Sequence, residues 1–139
     1  MTTKVISQLL INGGFGSFDS EWRVFESFLP NEPDDAIAVY NRGGSQDGRL
    51  LETGERIEHL KYEIQVRGIN YLDVWRKMNS IVLFLDSLKN ITVEVSPGEI
   101  YTVFNVSRQS DITTLGLEMH GTRRRQYLAV TVNLSMKQS

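Results

Sequence analysis

Arg123-Arg124-Arg125 is the most concentrated charge in the chain and the first place to look for chemistry. Three guanidiniums at a hairpin tip would meet an acidic surface on a neighbour, or passing phosphates, through planar forked donors. The same residues would also serve as a solvated strand end whose charge discourages edge aggregation. Their mutual repulsion requires an offset under either reading. A second group, Arg42, Gln46, Asp47 and Arg49, stands among the glycines of the stretch Asn41 to Arg56. Those glycines have the look of a phosphate cradle, yet no Gly-Lys-Ser/Thr follows and no helix opens there, so nucleotide binding is set aside.

Signals for catalysis are weak. His59 and His120 fall at a strand start and a hairpin turn, and no His-x-x-His or His-Glu-x-x-His spacing supports a metal site. Gly14-Phe15-Gly16-Ser17 and Gly44-Ser45 lack the Gly-x-Ser-x-Gly elbow of a serine nucleophile. The acids Asp34-Asp35, Glu52, Glu55 and Glu58 read as solvated loop charge. With no cysteine in the chain, a disulfide, a thiolate metal site and a cysteine nucleophile are all excluded. The expectation is a protein without catalytic residues, metal or cofactor.

The elements that would position these groups are legible from hydrophobic period. Leu60, Tyr62, Ile64 and Val66 alternate with Lys61, Glu63, Gln65 and Arg67, a strand with one buried face and one wet face. After Gly68 the period lengthens: Val74, Met78, Ile81, Val82, Leu85 and Leu88 make one stripe of a helix that Asn70 caps, with Asp73 at the capping-box position. Upstream, Val5, Ile6, Leu9 and Leu10 form the apolar side of a short helix, capped by Thr2 or Thr3 and ended by Asn12-Gly13-Gly14. Trp22 to Leu29 is aromatic and β-branched and reads as a strand; Asp35 to Tyr40 is an apolar run that suits a strand covered on both faces. Residues 41–56 read as an arm that is mobile or partner-bound.

Beyond the helix, Ile91, Val93 and Val95 are odd-numbered, Ile100, Thr102, Phe104 and Val106 even, Thr113, Leu115, Leu117 and Met119 odd, and Leu128 to Met136 even. Alternating parity with even-length loops predicts an antiparallel meander with all four sets on one face. Ser96-Pro97-Gly98-Glu99 is expected as a four-residue loop, and His120-Gly121-Thr122-Arg123 as a tight turn with glycine at its first central position. The predicted fold class is α+β: a mostly antiparallel sheet packed on one face by a long central helix and a short N-terminal helix.

The chain has 139 residues, 40% of them hydrophobic and 23% charged, which predicts one ordered domain spanning 1–139. A formal net charge of -2 excludes the basic surplus of phosphate-dominated nucleic-acid binding. No apolar run nears the roughly twenty residues that span a bilayer, so a soluble, unprocessed protein is expected.

Several short motifs are similar to one family. Leu29-Pro30, Pro33-Asp34 leading into Ala36-Ile37-Ala38-Val39-Tyr40, and Gly43-Gly44 resemble the N-terminal half of tail-terminator, tail-completion or minor capsid proteins of long-tailed bacteriophages. Tyr62-Glu63-Ile64-Gln65-Val66-Arg67-Gly68 with the following helix, Leu115-Gly116, and the strand Tyr127 to Met136 match that family's order of parts. The resemblance implies a virion protein, assembled in the host cytoplasm, that forms a ring, commonly a hexamer, at the head-proximal end of the tail. Its implied partners are copies of itself, the major tail tube protein and a head connector protein, with DNA passing through without specific binding. The sheet edges, the 41–56 arm and Arg123 to Arg125 are the candidate contacts. A head-completion or connector component is the alternative within the virion; a small monomeric ligand-binding or enzymatic domain, with His59 or His120 meeting a carboxylate in a pocket, is the alternative outside it.

Overall fold

Two hydrophobic periods meet at Gly68, and the backbone changes with them. The structure, a computed structural model, describes residues 3–18, 21–46 and 57–138. In chain order the elements are α1 (Lys4–Asn12), β1 (Arg23–Glu26), β2 (Ala36–Gln46), β3 (Glu58–Gly68), α2 (Tyr71–Asp86), β4 (Lys89–Ser96), β5 (Glu99–Arg108), β6 (Thr113–His120) and β7 (Arg123–Gln138). Strand β3 buries Leu60, Tyr62, Ile64 and Val66, and α2 buries Val74, Met78, Ile81, Val82 and Leu85, as alternation and stripe predict. The side chain of Asn70 accepts from the amides of Leu72 and Asp73, at 3.0 and 3.2 Å, and so satisfies two of the helix's orphan donors. Gly68 is required by close approach: a Cβ there would lie 2.6 Å from Val74 Cγ2 and 2.8 Å from Asp35 Oδ1.

The class is α+β, with two helices on a mixed seven-stranded sheet ordered β1-β2-β3-β7-β5-β4. β1 runs parallel to β2, and the remaining pairs are antiparallel. The core lies between the sheet and the helices, where Val5, Ile6, Leu9 and Leu10 of α1 and the α2 stripe meet Ile37, Val39, Ile64, Val130 and Leu134. Thr3 holds the N-cap position of α1 without a side-chain capping bond.

Several expectations are corrected. Residues Asn41–Gln46 are not part of an arm: they extend β2 along β3, with the register shifting between Asn41 and Gly44. Gly43 supplies the positive φ, 102°, and its amide donates to Asn41 Oδ1, so a bulge absorbs the glycines while pairing continues. The rest of the predicted arm, 47–56, lies outside the described residues.

The meander is broken. β7 is sixteen residues long, and β6 and β5 share its one edge. β6 pairs with Arg123 to Ala129, and β5 with Val132 to Gln138, so β5 and β6 pair with β7 rather than with each other.

Parity also fails wherever a bulge adds a residue, because one extra residue turns every later side chain to the opposite face. Register shifts between Glu94 and Ser96 leave Pro97-Gly98 as a two-residue turn in place of the four-residue loop, with Gly98 at φ 82°. In β5 it is therefore Tyr101 and Val103 that are buried, not Ile100 and Thr102; a second shift, between Val103 and Asn105, returns Val106 to the core. β4 and β7 keep the expected parity: Val93 is buried with Ile91 and Val95 packed against the core, and β7 buries Leu128, Val130, Val132, Leu134 and Met136.

Candidate interaction surface

The hairpin β6–β7 carries the residues that the sequence singles out, and the structure separates them. Gly121, at φ 65°, is the first of the two residues between the paired His120 and Arg123, which makes the turn tight. Arg124 is exposed, opposite Met119. Arg125, one step along, is fully buried and is corrected from a surface tip to an interior residue. Successive strand residues point to opposite faces, so Arg125 lies on the back of the sheet, away from the helices.

There it meets residues 27–35, the connection between β1 and β2. Arg125 Nη1 donates to the carbonyl of Asn31 at 2.5 Å and lies 3.7 Å from Asp34 Oδ1, and Nη2 pairs with Glu118 of β6. Arg67, expected on the wet face of β3, is buried as well: Nε donates to the Asp34 carbonyl at 3.0 Å and Nη2 to the Pro33 carbonyl. The offset for the charge of Arg125 is thus the chain's own backbone and two of its carboxylates, and that of Arg67 is backbone. Glu118 keeps half of its side chain in solvent, and the hydrogen bond from Arg125, with a second from Tyr127, holds its carboxyl below the usual range.

On the front of the same hairpin the β6 strand is apolar and uncovered. α2 lies over β3, β7 and β5, and the core face of β6 runs past it. Leu115, Leu117 and Met119 are 51%, 54% and 56% exposed; a register shift between Thr114 and Gly116, where Gly116 takes φ 131°, sets Leu115 out of the ladder. These residues were expected in the core. Among the described residues β6 pairs only with β7, so its outer edge offers unpaired backbone groups beside an apolar strip.

The other candidates lie elsewhere. Arg42 is on β2, where Nε donates to Glu63 Oε1 at 2.8 Å and the guanidinium stacks 4.9 Å from the Tyr40 ring. Gln46 closes β2 opposite Glu58. Asp47 and Arg49, and the side chain of Arg123, lie outside the described residues. His59 Nδ1 is 3.0 Å from Ser135 Oγ, a hydroxyl contact. The structure also shows two surface clefts that share Trp22 and Asp35. One, of about 440 Å³, is lined by Phe15, Asp73, Arg76, Lys77 and Ser80 as well; the other adds Glu21, Glu32, Pro33, Asp34 and Ile69. Lys77 Nζ donates to the Phe15 carbonyl at 3.0 Å and sits 5.0 Å above the Trp22 ring; burial lowers its pKa. Among the described residues no group of three or more metal-ligating acids and histidines converges, and no helix is long and apolar enough to cross a membrane.

Sequence reasoning missed Arg67, Glu118 and the Trp22 clefts. One signal was available for Arg125: it is odd-numbered on a strand whose core residues are even, so it had to leave the face of Arg124. What covers it, 94 residues away, carries no local signal.

Fold and surface together define an α+β sheet protein with an apolar, open strand edge beside an arginine-bearing turn. No protein-family model matches the chain, and no curated protein sequence matches it.

Proposed function

We propose that the protein is a structural virion component that forms a ring at the head-proximal end of a phage tail tube, ends tube polymerisation and provides the surface for joining the head. The observation that carries this reading is the uncovered β6 edge, with Leu115, Leu117 and Met119 exposed together and unpaired backbone beside them. An isolated globule gains by covering such an edge; an assembly subunit uses it, because a closed ring needs a patch that a different patch on the next copy can satisfy. The resemblance of Pro33-Asp34, Ala36 to Tyr40, Tyr62 to Gly68 and Tyr127 to Met136 to tail-terminator proteins supplies the kind of assembly. In this reading the subunit is a mostly antiparallel sheet backed by a long central helix and a short N-terminal one. Arg124 and the β6 strip form the contact side, the partners are further copies, the tube protein and a connector, and the protein performs no catalysis.

Co-incubation with the major tail tube protein tests the proposal. Arrest of tube growth at a fixed length, with rings at one tube end by negative-stain imaging, is the expected result. Unchanged tube growth, with binding confined to filled heads, overturns it.

A further inference from the structure

Arg125 touches both the β6 edge and the connection 27–35. Its guanidinium is fully buried; one nitrogen is paired with Glu118 of β6, another donates to the Asn31 carbonyl, and the Asp34 carboxylate stands 3.7 Å away. Nε has no hydrogen-bond partner among the described residues. A buried cation short of partners tolerates little further loss: without Glu118 it must seek water, and to reach water it must leave the carbonyl that it holds.

On this side the connection is held through its backbone. Ser27 donates to the Val39 carbonyl at 2.8 Å, Phe25 and Phe28 meet edge to face at 5.6 Å, and the Asn31, Pro33 and Asp34 carbonyls are held by Arg125 and Arg67. The same connection supplies Glu32, Pro33 and Asp34 to one of the Trp22 clefts. A half-exposed carboxylate on the strand edge is therefore linked, through one buried side chain, to the wall of a cleft on another part of the molecule.

The geometry points to Arg125 as a latch that couples the β6 edge to residues 27–35, so that whatever engages the strand edge also changes the wall of the Trp22 cleft. The coupling is reciprocal, since loosening either end removes the same hydrogen-bonded guanidinium from both. It does not depend on the ring assignment.

Because the chain contains no cysteine, Ala38→Cys adds a single thiol to the full-length protein. Ala38 is fully buried and lies beside Phe25 in register, so its labelling reports opening of this side of the sheet. Glu118→Gln changes a half-exposed side chain that is paired with Arg125. In the Ala38→Cys background it is expected to speed thiol labelling, and to speed hydrogen exchange of the β6 amides, each on the order of tenfold, the scale of one charge-assisted hydrogen bond. Asp34→Asn is expected to speed β6 exchange in return. Faster β6 exchange with unchanged labelling overturns the latch. So does unchanged behaviour at both ends, or an equal rise in β4 and β5, which would mark general loosening.

Discussion

Arg67 Nε donates to the carbonyl oxygen of Asp34 at 3.0 Å, so a residue of the second-face row of β3 fixes the backbone of a connection 33 residues earlier in the chain. Nη2 of the same side chain holds the Pro33 carbonyl. Arg67→Met keeps much of the apolar stem but leaves both carbonyls without their donor. The expected loss is about 2–4 kcal/mol of unfolding free energy, at an unchanged denaturant slope, by urea titration. Arg67→Lys, which restores the charge but not the fork, should recover only part of it.

Gly68 closes β3 where Val74 and Asp35 crowd it. Gly68→Ala would force a methyl to within 2.6 Å of Val74 Cγ2, so the start of α2 has to shift. A destabilisation of about 1–3 kcal/mol is expected from overpacking, read as a lower urea midpoint. Pairing it with Val74→Ala should recover less than additive loss, since the two changes share one contact.

Acid should weaken the fold through two carboxylates. Glu118 is held below its ordinary value of 4.5 first by the Arg125 hydrogen bond, then by Tyr127, with Arg67 adding a favourable charge. Glu99 is lowered by hydrogen bonds from Ser96 and then Tyr101. For a carboxyl lowered on folding, the stabilisation is complete above the unfolded value, near 4.5, and is lost as pH falls through the lower folded value. The urea midpoint should therefore drop below about pH 4.5, and Glu118→Gln should flatten part of that decline. An identical acid limb in wild type and variant would contradict the assignment.

Leu117 and Met119 are exposed on an edge strand, so Leu117→Glu and Met119→Glu should each leave the monomer's stability within about 0.5 kcal/mol. Both should abolish self-association and capping of tube ends, measured by sedimentation and by tube length. Loss of stability of several kcal/mol would instead mark the strip as core.

Arg124, exposed on the same hairpin, should contribute to partner contact and not to DNA retention. Arg124→Ser is expected to weaken association with copies or tube protein while leaving gel-shift behaviour with duplex DNA unchanged. A strongly salt-dependent DNA shift that this substitution removes would place the turn against DNA.

The sequence by itself determined the parts whose side chains repeat at a fixed period. The α2 stripe, the alternation of β3, the Asn70 cap and the even-numbered core row of β7 were all legible, because a buried face imposes its period on the residues that fill it. Tertiary structure decided the rest. The shifts beside Ser96, Asn105 and Gly116 each insert one residue and reverse which face is buried, and only Gly116 hints at one in composition. Likewise Asn41–Gln46 reads as loop by its glycines but is strand because β3 offers it a ladder. Arg124 and Arg125 are identical in type and adjacent in sequence, and one ends in solvent while the other ends in the interior. Alternation separates their faces, but burial depends on a connection from the far end of the chain arriving over one of them with its carbonyls turned inward, and such a contact leaves no mark on local sequence.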